Sequence, residues 1–583
     1  MVSTNGRPRR QRSSRKSDGL QAGDAPPTVA APARRRPMKP AVVRLGGRKA
    51  ADWIEACART GQAMPVRTRI RVLARAVRRG AHGGRRADAV EAAIAGCVDD
   101  AAAAPADRWL LCEAATWGLA WFARRRRAGG SAGSLLERLA AQGRDAQTAL
   151  AARDTLPAPF VIALARLFAD IEACAALGTS ARASVAEEIG RLVTADGAVG
   201  LAGSTAILER VIRWTAARAA GLATGGLPWD DETDRRWARA ASGAILLLGE
   251  RGRVLSGTDH ADRRSATAVL EALRRAGDHV DERVRRTARA VATGRTPRGR
   301  LRKPDLHDSA AALTVIRTGW GRDAVRVLVD YRDAVPRLEI AVADRLLVDG
   351  AWHWSAKLGG RPLEAEAGWT VACWESGRKA AFLEIVAPLV GGMQIERHVV
   401  VLRKSAIVLL ADVVRPAAGG AAAPDEILYR ADVPLAAGLD VDIAAETREA
   451  VIFDTTMRGT VLPLALPEWR GCGAGSLASA AGTLTLEQSG RGRLYAPLWF
   501  DCDASRVGRP LTWRQLTVAD TRRNLPRHQA AGFRVQSGQE QWLLYRSLDV
   551  ARNRTLLGCN VSAEFLLGRV KRSGEVARTL EIE

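Results

Sequence analysis

At 583 residues, 47% of them hydrophobic, the chain is too long for one core and has apolar material for two. Its formal charge of +25 points toward polyanions, because a concentrated basic face recruits phosphates or sulfates and releases their counterions. The distribution excludes a uniformly basic body: among the first 50 residues thirteen Lys and Arg face only Asp18 and Asp24, so this segment carries +11 and the remaining +14 is spread over the rest.

Residues 1–49 are rich in Pro, Ser, Gly and Arg and poor in large apolar groups, with little to bury against the entropy of ordering. They are expected to form a disordered basic tail that contacts polyanions non-specifically. No apolar stretch follows the basic start, so no signal peptide is read. The expected compartment is cytoplasmic, or periplasmic or secreted if a misassigned start codon hides an export signal.

From 50 to 294 apolar positions recur three and four apart with Ala-rich filling, which predicts roughly ten to twelve helices in an irregular, toroid-like array, since no fixed-period repeat is found. Ser184 with Glu187 fits a capping box that opens a helix with Val185, Ile189, Leu192 and Val193 on one face. Another helix runs through Val269, Leu270 and Leu273 and stops near Gly277. The most apolar run, Trp109 to Ala123, is interrupted by Glu113 and too short to span a bilayer, so it reads as a buried helix and no membrane span is expected. Arg124 to Arg127 reads as a solvated helix end favoured by the helix dipole.

The segment GRTPRGRLRKPDL, with breakers Gly294, Pro297, Gly299 and Pro304 among basic residues, marks a linker over 295–307. Beyond it the period becomes two. Val325, Val327 and Val329 alternate with Arg326, Leu328 and Asp330, and Leu338, Ile340 and Val342 alternate with Glu339 and Ala341. Further strand-like runs are Phe382–Val386, His398–Leu402, Ile407–Val414, Thr483–Leu486 and Trp542–Tyr545. Many strands without intervening helices predict an antiparallel β-sandwich over 308–583, and an α+β multidomain protein as a whole. The eight cysteines show no CxxC pair and no metal-ligand spacing, and are expected to be buried thiols.

Four strings carry a family resemblance: EEIGRLVTADGAVGLAGST ending at Thr205, VIRTGWGRDAVRVLVD ending at Asp330, RLLVDG ending at Gly350, and ERHVVVLRKSAIVLLADVV ending at Val414. With the order of helices then strands, the chain resembles the heparinase II/III group of polysaccharide lyases. The resemblance implies an α/α toroid followed by antiparallel sheets, and β-elimination of uronic-acid-containing chains in which Tyr, His, Asn and Arg take part. Asp196 and Gly197 match the group's helical-half motif and Ser204 is consistent with it. The motif's Glu falls on Leu201 or Ala202, and its Tyr on Ala206 or Ile207. Residues 51–294 contain neither Tyr nor Asn. Where the group has a His-rich string this chain has Tyr331 to Pro336, and its later His-Asn pair falls near Gly368 and Trp369. Only Asp349 remains of a zinc-binding set, so neither a metal nor any other cofactor is expected.

The richest remaining cluster is Trp352, His353 and Trp354 with Trp374 and Glu375, and Arg337 upstream. His353 and Glu375 are the candidate acid and base. Arg337 can pair with a carboxylate and Trp352, Trp354 and Trp374 can stack on sugar rings, although tryptophans in strands are usually core. His260 and His279, beside Asp259 and Asp278, read as helix-end turns. Three readings follow: a lyase-like scaffold without the usual machinery that binds acidic polysaccharide or serves structurally, an active lyase using non-standard residues, and a polyanion-binding protein acting through its tail.

Overall fold

The computed structural model describes residues 47–60, 64–80, 84–99, 103–123, 130–255, 266–276, 279–295, 298–417, 425–471, 475–521 and 523–583. The expected tail lies outside these except for Gly47, Arg48 and Lys49, which open the first helix, Gly47–Thr60. Arg124 to Arg127, His260 and Cys472 also lie outside the described residues.

Between Gly47 and Thr293 the described residues form eleven longer α-helices, a single α-helical turn at Glu172–Ala175, and the short 3-10 helices Ile245–Leu247 and Glu250–Gly252. The helix Pro105–Ala123 touches the helices Gly47–Thr60, Met64–Arg79, Gly84–Val98, Gly130–Ala151 and Ala158–Leu167, which is why its sequence is apolar on every side. Trp117 stacks on Trp53 with centroids 5.0 Å apart, and Trp109 on Phe160 at 6.2 Å. Glu113 sits inside this packing, and burial pushes its carboxyl up to about 7.

The helix expected to start at Ser184 runs from Leu177 to Leu192, so Ser184 and Glu187 stand mid-helix and cap nothing. Leu177, Gly178 and Ala181 bury on the same side as Val185, Ile189 and Leu192, and that added contact extends the helix upstream past the local capping signal. The helix Thr267–Arg275 buries Val269, Leu270 and Leu273. The last helix, Glu282–Thr293, is capped by Asp281, which accepts from Arg283 N at 2.6 Å, and ends at Gly294 with φ 67°.

From Asp305 onward the chain is built of antiparallel sheets. The first is a meander of Asp305–Asp308, Leu313–Arg317, Val325–Asp330, Arg337–Val342 and Arg345–Ala351. Its first strand takes in Asp305, Leu306 and His307, which the sequence places in the linker. An eight-stranded sheet follows, with Thr370–Ser376 at one edge and Ala380–Leu389, Met393–Leu402, Ile407–Pro416 and Leu494–Asp501 inside it. A third sheet contains His353–Leu358 and Glu426–Pro434, and a fourth contains Ala530–Ser537, Glu540–Ser547 and Phe565–Val570.

Val327, Ile340, Leu383, Ile395, Leu410 and Tyr429 form one core shared by the first three sheets. Phe382, Leu409, Trp499, Phe533 and Trp542 join the opposite face of the eight-stranded sheet to the fourth. All six residues of Val325–Asp330 are buried, on both faces of the strand. The reason is that Val325, Val327 and Val329 pack against the other sheets while Leu328, with Leu313 and Val315, packs into the helical core.

The seam between helices and strands is polar and bridged by several hydrogen bonds. Arg317 Nη1 donates to Leu246 O at 3.0 Å and Leu248 O at 2.8 Å, and Arg326 Nη1 donates to Leu247 O. Arg332 Nη2 donates to Leu201 O at 3.0 Å, Glu250 N donates to Asp344 at 2.7 Å, and Thr194 bonds to Asp308. Of the described cysteines Cys57, Cys97, Cys112, Cys174 and Cys502 are buried, whereas Cys373 and Cys559 are only half-buried.

Candidate functional site

The motif-bearing run EEIGRLVTADGAVG folds as a helix end followed by a tight turn. Val193 bridges Val199, Thr194 N donates to Ala198 O at 3.0 Å, and Gly197 N donates to Thr194 O at 3.1 Å. Gly197 has φ 86° and its backbone lies so close to Arg239 that a Cβ would stand 2.7 Å from the Arg239 carbonyl oxygen. Packing therefore requires the glycine of this Asp-Gly pair.

The turn delivers the chain into the helix Gly203–Ala223, whose N-terminus meets the first sheet. Ser204 N–H donates to Glu339 Oε1 at 2.8 Å, a carboxylate at the positive end of a helix. Glu339 is also held by Arg326 at 3.3 Å and Arg337 at 3.5 Å, and Arg337 turns its other edge to Asp349. Arg326 and Glu339 are each 2% exposed. Burial and the neighbouring Glu339 raise the Asp349 carboxyl above its usual range, against the pull of Arg337 and Arg326. The arginine able to receive a substrate carboxylate is thus bound to two carboxylates of the protein itself.

Tyr331 is buried and its hydroxyl is pushed up to about 12 by burial, while Trp369 Nε1 donates to Ala334 O at 2.9 Å. The donors needed for a zinc of the lyase group do not fit here, because Asp349 has an arginine as its partner and no imidazole stands on Tyr331 to Pro336.

Trp352 is 2% exposed, and the Arg397 guanidinium lies 3.9 Å over its ring and 5.5 Å from Trp369. Arg397 pairs with Asp412 at 3.0 Å and donates to the Trp352 carbonyl, and Tyr429 donates its hydroxyl to Asp412. Trp352 therefore offers its face to an arginine inside the core. His353 is exposed on the third sheet opposite Asp432, and Trp354 is half-buried opposite Ala431. Trp374 and Glu375 stand on the edge strand of the eight-stranded sheet. Glu375 is exposed beside a shallow groove with Arg378, Lys379 and the C-terminal residues Thr579–Glu583. The candidate acid and base thus sit on different sheets, and Arg337 turns to a third element, the helix Gly203–Ala223.

Two histidines that the sequence did not single out occupy more structured settings. The His307 ring stacks on Trp374 at 4.8 Å and 19°, and its Nδ1 lies 2.9 Å from Thr314 Oγ1. Burial lowers its pKa, with Asp308 and Asp196 opposing, so the imidazole is neutral at neutral pH. No signal in the sequence pointed to it, because Pro304 and the basic residues before it read as a linker.

His398 lies fully buried with Glu384 at 3.5 Å and Glu396 at 3.8 Å, and the donor atoms of the three fall within 4.8 Å of one another. Arg546 is already bound to Glu396 at 2.7 Å and Glu384 at 3.4 Å. A guanidinium thus occupies the place of a cation, and the cluster reads as a buried ion network joining the eight-stranded and fourth sheets.

Neither a family model nor a curated protein matches the chain. Solved structures do. A heparinase III gene product aligns with TM-score 0.52 at 11% identity over 88% of this chain and 93% of that one. A crystal structure of heparinase III aligns with TM-score 0.52 at 11% identity over 82% of each. A mutant of the heparan sulfate lyase HepC from Pedobacter heparinus aligns with TM-score 0.51 at 12% identity, over 83% of this chain and 82% of that one. At this identity the likeness is one of fold, and the chain has a heparinase-like fold.

Proposed function

We infer from this heparinase-like fold that the chain is a catalytically degenerate lyase scaffold that binds acidic polysaccharide without cleaving it, with residues 50–294 as the toroid-like part and 308–583 as the β-sandwich. The observation that carries the reading is the Arg326–Glu339–Arg337–Asp349 network at the N-terminus of the helix Gly203–Ala223. β-Elimination needs a base to take the proton beside a uronate carboxylate, an acid to protonate the leaving oxygen, and polar groups to neutralise the carboxylate so that the proton becomes removable. Here the arginine suited to the last task is engaged internally. No phenol, amide or imidazole stands at the matched helical positions. Incubation with heparin, heparan sulfate and alginate should release no unsaturated uronic product by ultraviolet absorbance, and clear turnover would overturn the reading.

A second reading, an active lyase with non-standard residues, draws support from His307. A neutral, half-buried imidazole stacked on Trp374 near Asp308 and Asp196 is suited to a general base. His353 and Glu375 remain the other candidate acid and base, with Arg337 and Trp354 as candidate sugar contacts. Turnover lost in His307→Ala would support this reading with His307 as base, and turnover lost only in His353→Ala would move the chemistry to the third sheet. Among the described residues no helix is long and apolar enough to cross a membrane.

A further inference from the structure

The last two helices of the helical part and the segment that follows them place many cations on one surface. Between Thr267–Arg275 and Glu282–Thr293 lies a groove of about 420 Å³ whose described lining is Arg274, Arg275, Arg285, Arg286, Arg289 and the carboxylate Glu282. The carboxylates there are shared. Glu282 serves Arg285 at 2.9 Å and Arg286 at 3.0 Å, and Glu271 serves Arg275 at 2.6 Å and Arg274 at 3.0 Å. Glu271 and Glu282 are each divided between two guanidiniums, and Arg289 stands exposed beside them.

The basic segment after the helix is pinned alongside. Arg302 N donates to Thr287 Oγ1 at 2.9 Å, the Arg302 carbonyl accepts from Trp320 Nε1 at 2.9 Å, and a Cβ on Gly299 would meet Arg286 Nη1 at 2.8 Å. Arg298, Arg300 and Lys303 are thereby held exposed next to the groove. The breaker-rich string that marks the linker thus also extends the groove's charge into a continuous basic track.

We propose that this track is a docking surface for a sulfated polysaccharide chain, separate from the seam between helices and strands. Guanidiniums bind sulfate and carboxylate in forked pairs, and surface ion pairs such as those to Glu271 and Glu282 are weak enough for a polyanion to displace. Among the described residues the groove lining contains no aromatic side chain on which bases could stack, which favours a glycan over single-stranded nucleic acid. The choice of glycan rests on the reading given under Proposed function, but the location does not depend on whether the chain cleaves its ligand.

The test uses the full chain and three probes: a sulfated heparin octasaccharide, an unsulfated alginate oligomer of equal length, and a DNA duplex. Affinity is measured as a function of salt for the parent and for Arg275→Glu/Arg286→Glu/Arg289→Glu, with the same three positions changed to Gln as the version that keeps the side-chain stems packed. The charge-reversed chain should bind the sulfated octasaccharide at least about tenfold more weakly near 0.1 M salt, and the slope of log affinity against log salt should fall by about one per lost contact. The Gln version should lose less in the same direction. Parent-like affinity and slope in both variants would overturn the proposal. So would loss of all binding on reversing Arg34, Arg35 and Arg36 alone, or tighter binding of the duplex than of the glycan. Turnover of the glycan, by contrast, would overturn the degenerate-scaffold reading and leave this surface intact.

Discussion

At the scale of single residues, burial decides what charge can do. Glu113 lies in the helical core against Trp117 and Cys57, and burial raises its carboxyl to about 7. Its folded-state pKa is higher than its unfolded one, so the native state binds the extra proton, and stability is lost as pH rises from the unfolded value through about 7. The shift corresponds to an upper bound of about 3 kcal/mol at alkaline pH. Thermal melts of Glu113→Gln should lose part of the decline that the parent shows between pH 5 and 8, and an unchanged decline would remove Glu113 from the account. His398 lies in a similarly buried setting. Burial and Arg546 push its pKa down, yet Glu384 and Glu396 together raise it, so their network is strongest with the imidazole protonated.

At the scale of elements, close backbone approach sets the geometry of the Asp-Gly turn in the helical part. Gly197→Ala forces a left-handed alanine and a Cβ 2.7 Å from a carbonyl oxygen. It should cost more than the roughly 1–3 kcal/mol expected for a strained backbone alone. Gly482, with φ 73° and nothing within 4 Å of its Cβ position, is the control. Denaturant unfolding of the two alanine variants should place Gly197→Ala clearly lower, and equal losses would mean that the Arg239 contact yields.

Much at this scale was legible in the sequence. The runs at Val325 and Leu338, read from their period-two alternation, and the strand-like runs at Phe382 and Ile407 all fall within strands. The buried helix around Trp117 was readable from its length and apolarity. Local signals failed where distant contacts outweighed them. Ser184 carries a cap signal that helix packing overrides, and His307 joins a strand because Leu313–Arg317 pairs with it across a four-residue turn. The candidate site was the least legible part. Trp352 and Arg337 carry the chemistry of sugar recognition in their side chains, but their partners, Arg397 and Asp349, are 45 and 12 residues away in sequence.

At the scale of the whole molecule, the described residues between Gly47 and Glu583 fall in one compact unit, although helices and strands are segregated along the chain. Arg298, Arg300 and Lys303 are exposed and open to trypsin, so limited digestion should cut between the helical and β parts. Because Arg317, Arg326, Arg332 and Asp344 bind across the seam, the two fragments should co-elute on gel filtration under native conditions and separate only in denaturant. Fragments that separate without denaturant would contradict so strongly bonded a seam.

The three carbonyls at Leu246, Leu247 and Leu248 add a question of timing. Their donors are on Arg317 and Arg326, some 70 to 80 residues downstream. During synthesis this end of the helical half leaves the ribosome before either guanidinium exists, and its carbonyls must be solvated until the second and third strands of the first sheet arrive. Nascent chains stalled near residue 295 should therefore rely on chaperones more heavily than chains stalled past residue 350. Expressing the helical half alone would make that transient state permanent.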